Sequence, residues 1–271
     1  MRSRTSAFML AGFAALAAAG CASVQTTQAG AVGVDRKQTM LVSSGEVNRA
    51  ADQQYAQVIA QARQKGTVNR DPAQVERVRV IAARLIAQTG HFRSDAPGWR
   101  WEVNVITSPQ LNAWCMPGGK MAVYTGLIDK LKLSDAEIAA IMGHEIAHAL
   151  REHGRERVSQ QTATNAVVGI GAAALGLGRA GADLGNLVAQ VTFTLPNSRT
   201  AEVEADRIGV ELAARAGYDP RAAVTLWQKM AQSAGGGSPE FLSTHPSPDN
   251  RIKDLEQYAQ RVMPLYQAAS K

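Results

Sequence analysis

The chain has 271 residues, of which 45% are hydrophobic and 19% charged, and its formal net charge is +6. That length supplies one substantial core, and no repeat or shift in composition marks a second globular unit. The positive excess is modest and no basic cluster is interleaved with aromatics, which excludes nucleic acid as a partner.

The N-terminus reads as an export signal. Arg2 and Arg4 precede an apolar run from Ala7 to Ala19 that is too short to span a bilayer, and the run leads into Ala18-Ala19-Gly20-Cys21. Residues 1–20 are therefore expected to be a lipoprotein signal peptide and Cys21 the lipidated residue. Residues 21–44, rich in Gly, Ala, Thr and Gln from Val24 to Val34, are expected to form a flexible tether, with the globular domain spanning 45–271. Ala22 after the cysteine resembles bacterial lipoproteins sent to the outer membrane. With Cys21 acylated, Cys115 is left alone and no intrachain disulfide is expected.

Two helices come next, over Glu46–Lys65 and Pro72–Thr89, the second opened by Asp71 as N-cap with Pro72 at its first position and closed by Gly90. Strand signals follow. Trp101, Val103 and Val105 alternate with polar residues, and Leu111–Met116 turns at Pro117-Gly118-Gly119 into Lys120–Tyr124. Asn112, Ala113, Trp114 and Cys115 are expected either to form an edge strand along a cleft, to which an extended peptide could add, or to be an ordinary buried strand.

The next helix carries the most informative motif, His144-Glu145-Ile146-Ala147-His148. Ser134 and Glu137 form its capping box, and His153-Gly154 is expected to stop it. Histidines four apart lie one turn apart on one face, where both can grip a single ion, and Glu145 at the edge of that face can take a proton from water. The surrounding residues from Ile138 to Leu150 are apolar nearly all round, so the helix should be internal. Burying two imidazoles and a carboxylate there without partners costs roughly 1–3 kcal/mol each or more, a cost that bound zinc removes. The spacing differs from the metzincin pattern, because Arg151 and Gly154 stand where glycine and histidine are needed. His153 is expected to cap the helix end as a cation or to support the site from behind.

After the uncharged, glycine-bearing stretch Ala166–Gly178, read as either a mobile lid or buried packing, a second helix runs from Ser198 to about Ala216. On its wheel Glu202 and Asp206 lie on the apolar face with Ile208, Gly209 and Ala213. Glu204 shares the opposite face with Arg207, Glu211 and Arg215 and is expected to be solvated and ion-paired. Glu202 fits as third zinc ligand, and Asp206, one turn on, as the carboxylate that accepts the free N–H of a ligand histidine. The competing reading of both acids is a buried ion pair with a basic residue.

The helix His144–His148, the run Ser198-Arg-Thr-Ala-Glu202-Val-Glu204-Ala-Asp206-Arg-Ile-Gly209, the stretch Asn112–Leu127, Gly217-Tyr-Asp-Pro220 and Thr244-His245-Pro246-Ser-Pro-Asp-Asn-Arg251 together resemble the gluzincin metallopeptidases. Within that family they resemble the CAAX prenyl endopeptidases, the heat-shock protease HtpX and a branch of periplasmic lipoproteins. The resemblance covers about Val42 to Tyr258. It implies an α+β, mainly helical zincin-like domain with a small sheet or hairpin beside the motif helix, one zinc ion per chain on His144, His148 and Glu202, and Glu145 as catalytic base. It also implies that the His245 loop approaches the zinc and that Arg251 lies near substrate. His245 is then either a donor to the developing oxyanion or a resting ligand to the metal, and the stiff Pro246-Ser247-Pro248 loop would hold it. The expected function is zinc-dependent cleavage of unfolded or misassembled envelope proteins at the periplasmic face of the outer membrane, with the lipid on Cys21 as membrane contact. A chaperone-like role toward the outer-membrane assembly machinery is the alternative.

Overall fold

The computed structural model describes residues 22–174, 184–233, 240–246 and 250–270. Cys21, the signal region and residues 175–178 of the 166–178 stretch lie outside them.

Beyond a short strand pair, β1 (Ala22–Val24) with β2 (Gln38–Met40), two helices lead into the sheet: α1 (Ser44–Gln64) and α2 (Pro72–Ile86). Ser43 and Glu46 form a capping box at the start of α1. Asp71 caps α2, whose end falls at Ile86, and a single tight turn at Thr89–His91 carries the chain on to Gly90 and beyond.

The sheet holds β3 (Glu102–Ile106), β4 (Ala113–Met116) and β5 (Lys120–Tyr124) in the order β3-β5-β4, with β3 parallel and β4 antiparallel to β5. The β4–β5 hairpin turns through Gly118 and Gly119, both at positive φ, and a side chain at Gly119 would collide with the Trp101 ring. Its strands are buried on both faces. Val105, Ala113, Cys115, Met121 and Val123 join the main core, whereas Ile106, Trp114, Met116 and Ala122 pack with α1 residues Val47, Tyr55 and Ile59 in a smaller one. Two-sided burial explains why β4 shows no hydrophobic alternation.

The short α3 (Thr125–Lys130) leads to α4 (Asp135–Leu150), which begins at the expected Ser134–Glu137 capping box and is buried along nearly its whole length. Its end differs from expectation. Arg151 caps it, Glu152 adopts φ +51° between Ser44, Arg93 and Arg155, and His153 opens α5 (His153–Ala174) instead of closing α4. Three charge-assisted or hydroxyl contacts hold the left-handed Glu152 in place where a glycine was the expected stop signal.

Four helices complete the domain: α6 (Leu184–Phe193), α7 (Arg199–Arg215), α8 (Ala222–Ser233) and, after the short α9 (Glu240–Thr244), the C-terminal α10 (Arg251–Ala269). No helix among the described residues is long and apolar enough to cross a membrane. At the centre, α4 crosses α7 at Gly143 and Gly209. A side-chain carbon on Gly209 would lie 2.7 Å from the His144 nitrogen, and one on Gly143 2.8 Å from the Gly209 oxygen. Only two glycines permit that backbone-to-backbone approach.

The expected flexible tether is instead a packed strap. Val32, Val34 and Met40 are buried, Gln38 is fully enclosed, and the Val32 N–H donates to Glu211 across α7. The strap lies over the face of α7 that the helical wheel left open to solvent.

Candidate metal centre and active site

The helix crossing fixes the chemistry above it. His144 sits one residue past Gly143 on α4, with His148 one turn later. Glu202 and Asp206 sit two and one turns before Gly209 on α7, so close approach of the backbones brings all four side chains into one buried space. His144 Nε2 and His148 Nε2 face each other at 3.1 Å, with Glu202 carboxylate oxygens 3.5 Å and 3.3 Å from them. His245, delivered by α9, contributes Nδ1 at 3.3 Å from His144 Nε2 and 3.0 Å from Glu202 Oε1. Its ring stacks on Phe241, and its backbone N–H donates to the Phe241 carbonyl. Asn197 pins the same loop by donating from its backbone to Thr244 O and approaching His245 Nδ1 with its side chain.

These four residues are the candidate ion-binding cluster among the described residues. Zinc arms of about 2.0–2.1 Å in a tetrahedron span edges of about 3.3 Å; the contacts given above run from 3.0 to 3.5 Å, and one ligand atom from each of the four residues lies within 4.8 Å of the others. Two imidazole nitrogens aimed at each other and at a carboxylate are a poor arrangement without a cation and a good one with it. The donor set of imidazoles and one carboxylate fits zinc.

Each ligand is held from behind. His144 Nδ1 lies 2.9 Å from Asp206 Oδ1, as expected for the outer carboxylate. Burial pushes the His144 imidazole down, the bonded Asp206 and Glu202 push it up, and the carboxylates prevail at about 9. His148 goes the other way: burial takes it well below its ordinary value. Burial raises Glu202, but His245, His144 and His148 around it bring its carboxyl well below the usual range. Glu145 is buried beside the cluster with its Oε1 3.5 Å from His245 Nε2, and burial raises its carboxyl.

Two sequence expectations are corrected here, and a third is decided between its two readings. Arg251 lies behind the ligands: its Nη2 donates to Glu202 Oε2 at 3.1 Å and Asp206 Oδ1 at 2.7 Å, and its guanidinium stacks 3.3 Å over the Trp227 ring. It therefore fixes two carboxylates and does not face the space a substrate would take. Glu204 is buried, 6% exposed, because the strap covers its side of α7 and supplies Arg36 as a partner. Of the two readings of His153, the cation at a helix end gives way to the support from behind. His153 Nδ1 lies 2.8 Å from His148 Nδ1, and burial lowers the His153 imidazole below its ordinary value.

The edge-strand expectation meets a strand at the sheet's edge. Tyr124 N–H donates to Asn112 O, so the antiparallel alternation turns the main-chain groups of Ala113 and Cys115 outward, toward Glu145. Between this strand and the cluster is a cavity of about 50 Å³, bounded by Trp114, Glu145, His148, Val191, Asn197 and His245. Cys115 is a buried free thiol.

Sequence reasoning missed Arg157, Asn197 and α6. Arg157 donates to Val191 O, Leu195 O and Asn197 Oδ1 and so clasps the end of α6 over the cleft. The cover came from this helix, which carries no motif, whereas the reading of a lid pointed to 166–178. Of that stretch the structure describes the backbone of α5 up to Ala174.

A helix bearing His-Glu-x-x-His, crossed by a second helix bearing a glutamate ligand and flanked by a small sheet, defines a zincin-type metallopeptidase of the glutamate-ligand class. Residues 72–259 match peptidase family M48, and the chain belongs to that family. It is 37% identical to the mitochondrial metalloendopeptidase OMA1 of Arabidopsis thaliana over 187 residues, which is 69% of this chain and 36% of that protein. With OMA1 of Schizosaccharomyces pombe the identity is 35% over 212 residues, 78% of this chain and 60% of the relative. The β-barrel assembly-enhancing protease of Escherichia coli is 26% identical over 218 residues, 76% of this chain and 43% of that protein. The chain thus spans between about a third and three fifths of the length of these relatives.

Proposed function

We propose that the chain cleaves unfolded or misassembled envelope proteins from a lipid-anchored position on the periplasmic side of a bacterial outer membrane. Two things support this reading: the signal-like run ending at Cys21, and the similarity to a relative whose name assigns it to β-barrel assembly. The observation that carries it is a strand at the edge of the sheet beside a buried His-Glu-His cluster, because an extended, unfolded chain is the substrate such an edge accepts once the cover over it withdraws.

His144, His148 and Glu202 would hold zinc, which when bound would supply Lewis acidity toward a peptide carbonyl and toward water. Glu145 takes the proton from the attacking water and delivers it to the departing amine nitrogen, a use that its burial-raised carboxyl suits. Asp206 holds His144 in the tautomer that presents Nε2, and Arg251 holds Glu202 and Asp206 in register. The main-chain groups of Ala113 turned away from β5 align the peptide by main-chain pairing, while the Cys115 N–H donates to Glu145 and holds the base beside the strand.

In the state described, His245 completes a four-donor set, and a cavity of about 50 Å³ admits water but no peptide. We take this as a resting form, in which the His245 loop and the end of α6 must withdraw before substrate enters. Once withdrawn, His245 is placed to donate to the developing oxyanion.

Comparing envelope peptides from cells carrying the native chain and Glu145→Gln tests the reading. Cleavage products of envelope proteins that disappear with Glu145→Gln are expected, and identical peptide profiles would overturn the substrate assignment.

A further inference from the structure

Each motif histidine turns its Nε2 to the cluster and its Nδ1 outward, but the two outward nitrogens are treated differently. That of His144 meets the carboxylate of Asp206. That of His148 meets another imidazole, His153, at 2.8 Å, and His153 in turn places its Nε2 3.0 Å from Glu204 Oε2.

Proton placement along this line is determined. An imidazole whose Nε2 lone pair is given to a cation carries its hydrogen on Nδ1, so His148 donates to His153. His153 must then accept at Nδ1, carry its own hydrogen on Nε2 and donate to Glu204. Glu204 is locked in turn: Arg151 donates to its Oε2 at 2.9 and 3.0 Å, and Arg36 donates to Oε1 at 2.6 Å. Arg151 is itself fully enclosed, with its other N–H groups on Thr26, Thr27 and the Arg36 carbonyl. Thr26, Thr27 and Arg36 all belong to the N-terminal strap.

We propose that His153 and Glu204 are positioning residues for His148, the counterpart of Asp206 behind His144, and that the strap completes this relay through Arg36, so that seating of the strap sets how firmly the site retains zinc. This rests on the zinc reading of His144, His148 and Glu202 above. Stability alone gives no reason for the arrangement, since buried ion networks can usually be exchanged for apolar packing at little or no loss. What apolar packing cannot supply is a directed acceptor at His148 Nδ1.

The test uses the full chain, with zinc affinity measured by chelator competition, the visible spectrum of the cobalt-loaded protein, and thermal unfolding of the zinc-free protein. His153→Leu, which has neither acceptor nor donor, is expected to bind zinc about 10 to 100-fold more weakly and to shift the cobalt spectrum. His153→Gln, whose amide can accept from His148 and donate to Glu204, is expected to regain most of the affinity. Native affinity in His153→Leu, or equal weakness in both variants, overturns the relay. Arg36→Ala alters a position on the outer side of the network and keeps the test decisive if His153→Leu does not fold. Zinc transfer to chelator faster than native supports the strap's part, and a native rate overturns it. His148→Ala separates the two levels of failure: undiminished zinc there sinks the ligand assignment itself, whereas lost zinc there with native affinity in His153→Leu sinks only the relay.

Discussion

The two motif histidines stand one turn apart on the same helix, yet their supports are built in different ways. The His144 side is closed within the domain's own core: Asp206 comes from α7, Arg251 from α10, and Arg251 and the His144 ring pack against Trp227. On the His148 side the support runs outward through His153 and Glu204 to Arg36, more than a hundred residues away in sequence. One half of the site is thus secured by helix packing. The other is secured by a segment that joins the domain to whatever precedes it.

The helix crossing that serves both sides is where the largest effect is expected. Gly209→Val drives a branched side chain into the α4 backbone beside His144, and the two helices must separate. A destabilisation above about 4 kcal/mol, with loss of stoichiometric zinc, is expected by thermal unfolding and metal analysis. Near-native unfolding would mean that the crossing is not the keystone of the site.

A smaller effect is expected on the His144 side alone. Asp206→Asn keeps shape and one acceptor but removes the charge, and should weaken zinc binding or peptide hydrolysis about 10 to 100-fold with the fold intact. If the loss matched that of a ligand such as Glu202→Ala, Asp206 would be doing more than orienting His144.

The smallest effect concerns the strap side and pH. Burial raises the Glu152 carboxyl, but Arg155 and Arg93 bonded to it hold it below its ordinary value. Because the folded value is the lower one, this group stabilises the fold fully above its unfolded value near 4.3, and the stabilisation is lost as pH falls through the folded value. Denaturant unfolding of Glu152→Gln should therefore show a shallower decline below about pH 4.5 than the native chain. Parallel curves would show that the junction of α4 and α5 does not depend on this charge.

What was legible in the sequence follows the same division. His144, Glu145, His148, Glu202 and Asp206 lie on two helices whose caps and apolar faces are local features, and the small residue at 209 signalled a close crossing. Glu204 was misread as solvated for one physical reason. A wheel places a residue relative to its own helix and carries no information on a distant segment that covers the polar face, as residues 26–38 do here. Arg251 was drawn toward substrate by family likeness, whereas its Nη2 is bonded to Glu202 and Asp206. Nothing in α6, an apolar helix like any other, distinguished it as the cover of the cleft. A run of Thr, Gln and Gly reads as a tether unless the buried Arg151 and Glu211 that it satisfies are known.

The most direct test of the central claim compares zinc content and hydrolysis of an unfolded protein such as casein by the native chain and Glu145→Gln. One zinc per chain is expected in both, with hydrolysis in the variant lower by about 10² to 10⁴-fold, the share that a positioned base contributes. A native chain without zinc, or a variant that cleaves at the native rate, would contradict it.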